Sequence, residues 1–356
     1  MSHLSATDLQ QRVKGGEAIS ELVLDGLDLR NCDLSGGIFQ EVSLNGADLR
    51  GANLHEAVFT ECELNDVQAD GAQLAQTVFN QCGMANLRAA STALRECVFN
   101  ECVLTAGDFS DGQFDTTQFM RCELQQSRFS RSALDRSTFF ETPLDKAQFS
   151  QCRLLMTTFY GIDLRGVDFG GASFERVVFF ECDQRNKSYA RQQFTGCQFT
   201  DNRLDEADFS GAQLTQCNFK GASLQRANLR QVDARQALFM EADLSGAQCQ
   251  GSQFDQAIMV NALLSGADFS QSRLFQSILQ QAVAVGTRFR FCDLTYSDFS
   301  GADLRQADFT DVRFSRTRFH RARQDGAHIP NRRGMLEYDE ELLAAEAWSA
   351  QRHSRG

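Results

Sequence analysis

The chain has 356 residues, is 42% hydrophobic and carries a formal net charge of −12. No apolar run approaches the roughly 18 residues of a transmembrane helix, so the sequence excludes such a span. The negative charge argues against direct nucleic-acid binding, which needs a basic surface. The first residues lack the basic and apolar regions of a secretory signal, so we expect a cytoplasmic protein, although a non-cleaved translocation signal would leave no trace here.

The charge is distributed unevenly along the chain. Residues 1–115 contain 18 acids and 6 bases, which accounts for the entire net charge. Near the other end the bases dominate: Arg313, Arg316, Arg318, Arg321, Arg323, Arg332 and Arg333. We expect a molecule polarised along its length. The alternative is that Asp and Asn recur only because their short side chains help to turn the chain.

The first predicted element is a short helix within residues 1–20. Ser5, Ala6, Thr7 and Asp8 precede the segment LQQRV, a pattern typical of a capped helix start. We interpret residues 1–20 as an N-terminal cap, because the open end of a stack of strands invites edge pairing and needs a cover.

A five-residue repeat dominates the chain from Leu24 to Phe319. Of the sixty positions at this spacing, 51 are Leu or Phe, and a small residue usually stands two positions before each. Neither a helix nor a simple strand has this period, which indicates a chain wound into coils. Sorting the positions by twenty separates a column that is almost all Phe, from Phe39 to Phe319, from a Leu column. Such sorting indicates four pentapeptides per coil, with each side chain packed on its counterpart in the next coil.

The tracts GADLRGANL (46–54), GADFSGAQL (206–214) and GADLRQADF (301–309) resemble the A(D/N)LXX pattern of the pentapeptide-repeat family. The resemblance covers roughly residues 22–324. It implies an all-β fold, a right-handed quadrilateral β-helix whose central and small residues both point inward. We therefore expect about 15 coils over residues 21–325, a rigid rod on the order of 70 Å long, with short helical caps at both ends.

No cofactor, metal or catalytic site is expected from the sequence. Eleven of the twelve cysteines occupy the small inward position and Cys249 a central one, so we interpret them as buried core residues. The five histidines are scattered without metal-ligand spacing. No set of nucleophile, base and oxyanion donors stands out, so the sequence favours a protein that is not an enzyme.

The repeat weakens at Gln184 and Tyr189, inside the polar stretch DQRNKSYARQQ (183–193). One interpretation is a polar loop that bulges outward as a specificity element. The other is a coil that tolerates imperfect residues. Further on, Pro330 ends the coil, and residues 326–356 form an extension whose segment 335–350 is predicted as an amphipathic helix. Met335, Tyr338, Leu342 and Ala345 would fall on one side of this helix, which could serve as a lid or as a dimer contact.

One side of the predicted coil differs from the other three. In a strand, the neighbours of an inward residue point outward. Large apolar residues occupy 14 of 30 such positions on the side of the Phe column, here named the Phe face, but only 7 of 90 elsewhere. They are Ile38, Val58, Val78, Val98, Val178, Leu238, Ile258 and Ile278 before the Phe position, and Met120, Phe140, Tyr160, Phe180, Met240 and Val260 after it.

An apolar strip of this kind is typical of a binding surface. The leading hypothesis is a non-enzymatic scaffold that presents the Phe face to a protein partner or to a second copy in a homodimer, with no nucleic-acid or membrane partner. The candidate partner-binding residues are Met120, Phe140, Tyr160, Phe180, Val178, Leu238, Met240, Ile258, Val260 and Ile278.

The resemblance implies two alternatives. Some pentapeptide-repeat proteins mimic DNA and bind type II topoisomerases, and the acidic residues 1–115 are compatible with such a gyrase modulator, which a supercoiling assay would reveal. Others are translocated bacterial effectors or secretion-system accessories, and no residue pattern in this chain distinguishes that role.

Overall fold

The computed structural model describes residues 4–353, and the chain forms two compact units, Met1–Asp183 and Gln184–Gly356. Both units are built from parallel coils, and the fold is a β-helix of about 16 turns with a small helix at each end of the chain. The predicted fold class, a right-handed quadrilateral β-helix, is confirmed.

Unit 1 contains one helix and the strands of two parallel sheets. Its elements are α1 (Ala6–Lys14), β1 (Ile19–Ser20), β2 (Ile38–Gln40), β3 (Val58–Thr60), β4 (Val78–Asn80), β5 (Ala93–Arg95), β6 (Val98–Asn100), β7 (Gln113–Asp115), β8 (Gln118–Met120), β9 (Ala133–Asp135), β10 (Thr138–Phe140), β11 (Arg153–Leu155), β12 (Thr158–Tyr160), β13 (Ser173–Glu175) and β14 (Val178–Phe180). One sheet has the order β1-β2-β3-β4-β6-β8-β10-β12-β14. In the other, β5, β7, β9, β11 and β13 pair in sequence.

Unit 2 has fewer regular strands but keeps the same register. Its elements are β15 (Phe194–Thr195), β16 (Thr317–Arg318), β17 (Met335–Leu336) and α2 (Glu340–His353). Between them, isolated parallel bridges join residues twenty apart, such as Leu238 with Ile258 and Asp308 with His328. The parallel ladder ends with β17, which pairs with β16.

Backbone hydrogen bonds between successive coils and sharp corners produce the twenty-residue coil. The Leu44 N–H donates to the Glu63 carbonyl one coil on (2.7 Å), and the Ala47 N–H donates back to Leu44 (3.0 Å) to close a corner. Corner residues adopt left-handed backbone angles, with φ of 66° at Gly46 and 53° at Glu61. This conformation is costly for residues other than glycine, so it persists because the coils above and below pair with the corner.

The core consists of side chains stacked in columns, as predicted. In unit 1 the rings of Phe39 and Phe59 are 4.5 Å apart at an angle of 5°. In unit 2 the rings of Phe199 and Phe219 are 4.8 Å apart at 2°. Neighbouring columns meet edge to face, a favourable arrangement for aromatic pairs, as between Phe119 and Phe129.

Helix α1 begins where the sequence predicts a capped helix. The Ser5 hydroxyl accepts the Asp8 N–H, and the Asp8 carboxylate accepts the Ser5 N–H, at 3.2 Å each. Leu9 and Val13 are buried. The Gln10 side-chain carbonyl accepts the backbone N–H of Asp33 (2.9 Å), so the helix lies against the first coil.

The proposed outward bulge at residues 183–193 is wrong. Gln184 and Tyr189 are almost fully buried, and the turn and bridge pattern continues through the segment without an insertion. The Tyr189 hydroxyl donates to the Gln184 side-chain carbonyl, and the Gln184 amide donates to Asn202 (3.4 Å). The inward positions are filled by polar groups that satisfy one another, so the chain has no reason to leave the coil.

The predicted helix over 335–350 is shifted in the structure. Met335 and Leu336 form strand β17, and Tyr338 precedes α2 and is exposed, so neither Met335 nor Tyr338 lies on the helix. Ala345 is exposed, and the Leu342 side chain lies outside the described part. Helix α2 contacts the last coil through Glu346, whose carboxylate lies 2.5 Å from the Arg321 guanidinium and 3.6 Å from the His320 ring.

Candidate protein-binding face

The strands of the first sheet in unit 1 display the outward residues of the Phe face. Each strand places its Phe inward, as Phe139 and Phe159 show, and turns both neighbours outward. Because these strands pair in parallel without a register shift, outward residues twenty apart lie directly above one another. The repeat therefore converts a sequence column into a surface ladder.

The candidate residues of unit 1 lie together on this face. Met120 is opposite Phe140, Phe140 opposite Tyr160, and Tyr160 opposite Phe180. The rings of Phe140 and Tyr160 are 4.8 Å apart, and those of Tyr160 and Phe180 are 5.4 Å apart, both stacked. All four side chains are half-buried, because each is covered by its neighbours along the ladder. The candidate Val178 occupies the other outward position of β14.

The ladder continues with β-branched residues in the earlier coils of unit 1. Ile38, Val58, Val78 and Val98 are aligned in register before their inward Phe residues. Ile38 is 53% exposed, and the three valines are half-buried. The other outward position of these strands holds polar residues, among them Asn80 and Asn100. The early part of the face is therefore less apolar than the aromatic ladder.

The candidate residues of unit 2 form a cluster of their own. Leu238, Ile258 and Ile278 are joined by parallel bridges, and Met240 and Val260 stand in the second outward position of the same coils. All five are half-buried. The structure therefore brings together the five candidates of unit 1 and, separately, the five of unit 2.

Many acids of unit 1 are neutralised by neighbouring arginines. Residues one before and one after an inward residue point to the same side, which lets Asp28 pair with Arg30 (2.6 Å) and Asp48 with Arg50 (2.6 Å). Hydrogen bonds from the Arg30 side chain lower the pKa of Asp28 to about 2. Arg131 in the same way lowers the pKa of Asp111.

A second set of acids was missed by reasoning on the outward strand positions alone. The corner that follows each strand of the Phe face, two residues after its inward side chain, carries an acid in most coils of unit 1: Glu21, Glu41, Glu61, Glu101, Glu141 and Glu181. All are exposed. The same sorting by twenty that separated Phe from Leu would have found this column, had it been applied to the corners. We call it the Glu column.

The cysteines act as core residues. All twelve lie within the described residues, none forms a disulfide, and eleven are buried, with Cys32 half-buried. Burial raises the pKa of Cys97, Cys152 and Cys292 to about 12, so these thiols are protonated at neutral pH. Within residues 4–353, no group of three or more His, Cys, Asp or Glu side chains is placed to hold a metal ion.

Two family models match the chain. The model described as "Pentapeptide repeat region" matches residues 72–149, and that described as "Pentapeptide repeats (8 copies)" matches 43–81, 192–221, 222–259, 242–281 and 287–323. Together they cover more than half of the chain. The protein belongs to the pentapeptide-repeat family.

Solved structures with a similar fold include other members of that family. HetL, a pentapeptide repeat protein involved in heterocyst differentiation regulation in the cyanobacterium Nostoc sp. strain PCC 7120, is 19% identical over 80% of this chain and 97% of its own, with a TM-score of 0.22. A trypsin-treated form of QnrB1, a plasmid-mediated fluoroquinolone resistance protein, is 24% identical over 55% of this chain and 91% of its own, with a TM-score of 0.35. Comparison with curated proteins gave no match.

In the described part of the chain, neither helix is long and apolar enough to cross a membrane.

Proposed function

We propose that the protein is a non-enzymatic scaffold that binds a protein partner, or a second copy of itself, through the Phe face of unit 1. The observation that carries this proposal is the ladder of Met120, Phe140, Tyr160 and Phe180, stacked in register on the surface of one sheet. Aromatic and Met side chains are the types enriched at protein interfaces, and an apolar surface strip on a folded protein usually marks such a site.

Binding at this face depends on side chains and not on added strands. The backbone groups of each inner strand already pair with the coils on either side, as β10 pairs with both β8 and β12. A partner strand cannot extend the sheet there, whereas flat stacked rings offer rigid contact area at a low cost in conformational entropy.

A site-specific cross-linking experiment tests the proposal. A photoactivatable residue replaces Gln118, which is exposed on the Phe face, or Gln113, which is exposed on the other sheet. We expect a discrete cross-linked product in cells from position 118 and none from position 113. Mass spectrometry of the product tells a second copy from a different protein, and equal products from both positions would contradict the proposal.

A variant separates binding from folding. Changing Phe140, Tyr160 and Phe180 together to Ser should remove the product from position 118, because the apolar contact area is lost. The matched control changes three outward apolar residues of other faces, Val23, Val103 and Leu155, to Ser, and should leave the product unchanged. Circular dichroism checks that both variants keep the fold, and a product that persists in the first variant would count against the proposal.

A further inference from the structure

We propose that the partner segment is a cationic amphipathic α-helix that lies along the coil axis on the Phe face of unit 1. This inference rests on the proposed function and specifies the chemistry of the partner. Apolar residues of the segment would pack on the ladder of the face, and Lys or Arg residues on its flanks would pair with the acids of the Glu column in the early coils. Further along the column, Glu141 already pairs with Arg121 (3.2 Å). The charge and spacing of the face argue for such a partner.

The Glu column is uncompensated over the early coils. Glu41, Glu61 and Glu101 are exposed, and no basic side chain among the described residues lies within ion-pair distance of them. The Glu101 carboxylate accepts a hydrogen bond from the uncharged Gln81 amide (3.0 Å). By contrast, other acids of unit 1, such as Asp28 and Asp48, pair with arginines of the chain itself.

The opposite edge of the face is also acidic in these coils. Glu56 and Glu96 stand at the corners that precede Val58 and Val98, and both are exposed. The Glu56 carboxylate lies 3.3 Å from the His55 ring, and the Glu96 carboxylate accepts a hydrogen bond from the Gln76 amide (2.8 Å). The strip of β-branched residues is thus bordered by carboxylates on both sides. Cationic side chains of a partner placed along either border would be attracted to these carboxylates.

The spacing of the coils fits a helix. Outward residues recur about every 4.8 Å along the axis, and an α-helix advances about 5.4 Å per turn. A helix laid along the axis therefore places about one of its turns opposite each coil, so that about one side chain of the facing side meets each coil. The small mismatch accumulates to only about 3 Å over five turns, which the long side chains of Lys and Arg can accommodate.

Two synthetic peptides serve as probes with the full-length protein. Both are helix-forming and about 18 residues long, with Leu on one side, and the other side carries Lys in one peptide and Glu in the second. Fluorescence anisotropy should show at least tenfold tighter binding of the Lys peptide. Changing Glu41, Glu61 and Glu101 together to Gln should weaken its binding about tenfold, since each exposed ion pair contributes modestly. Added salt should weaken it as well.

A charge-matched variant controls for the acidity of the whole protein. Changing Asp66, Asp70 and Asp145 to Asn removes three acids that lie off the Phe face and its edges, and should change the Lys-peptide affinity less than twofold. Equal weakening by the two variants, equal binding of the two peptides, or no binding of the Lys peptide would overturn the inference.

The two proposals fail in different ways. If position 118 cross-links a partner and the product is undiminished in the Glu→Gln variant, the charge inference is wrong and the binding face stands. If position 118 gives no product while position 113 does, the proposed function itself is wrong.

Discussion

At the scale of single residues, Gln184 and Tyr189 show how the core accepts polar side chains. Both replace the usual Leu or Phe, and the exposed fraction of each residue is no more than 1%. The Tyr189 ring keeps the columnar packing, stacked 5.3 Å from Phe209 and edge-on to Phe194. An unpaired hydroxyl would be costly inside an apolar coil, and the Tyr189 hydroxyl donates a hydrogen bond to the Gln184 side-chain carbonyl. The two substitutions therefore act as a pair.

The pair predicts a non-additive effect on stability. Tyr189→Phe alone should lower the free energy of unfolding by about 1–3 kcal/mol, because it leaves the buried Gln184 carbonyl without this hydrogen bond. Adding Gln184→Leu should restore part of the loss, since the unpaired Gln184 carbonyl is then removed, while Asn202 loses the long hydrogen bond from the Gln184 amide (3.4 Å). Chemical denaturation measures both variants, and Tyr160→Phe on the surface serves as the control, with no expected change. Additive losses in the double variant would contradict this account.

At the scale of elements, features set by local sequence were predictable and those set by distant pairing were not. The start of α1 was foreseen because Ser5 and Asp8 cap it within one turn. The start of α2 was misplaced because Met335 and Leu336 pair with β16, which lies eighteen residues earlier in the chain, and this pairing overrides their helical periodicity. Likewise the outward position of Phe140 follows from the repeat, but which acids find an arginine depends on side-chain placement across coils.

Helix α1 should protect the first coil. Leu9 is fully buried, and Gln10 binds the backbone of Asp33. Leu9→Ala should destabilise the packed state of the helix by about 2–5 kcal/mol, because it leaves a cavity in the buried contact. The helix should then open locally more often. We expect faster hydrogen exchange at the amides of residues 19–40 and greater self-association, as uncovered strand edges pair. Gln11→Ala, at an exposed position, is the control, and unchanged exchange in Leu9→Ala would show that the helix is not a cover.

At the scale of the whole molecule, the thiols report on the integrity of the coil. Eleven of the twelve cysteines are buried, at inward positions spread from Cys62 to Cys292, and they belong to both units. A buried, protonated thiol reacts slowly with disulfide reagents. Thiol reactivity should therefore be a measure of folding throughout the chain.

Titration with a chromogenic disulfide reagent tests this expectation. The native protein should react at no more than one thiol, Cys32, which is half-buried, and the protein in guanidinium should react at all twelve. Changing Cys32 to Ser should remove the native reaction and leave eleven thiols in denaturant. Rapid reaction of several thiols while the circular dichroism remains native would show that the coils open locally.

The twenty-residue coil also determines how this chain can gain or lose length. Removing residues 61–80 would delete one coil, leave each later side chain on its own face, and shorten the ladder by about 4.8 Å. Removing only five residues would keep inward residues inward but rotate every later pentapeptide by one face, which would carry Phe140, Tyr160 and Phe180 away from the earlier valines. Insertions and deletions are thus under two separate constraints: multiples of five keep inward residues inward, and only multiples of twenty within unit 1 keep the outward residues of the Phe face aligned.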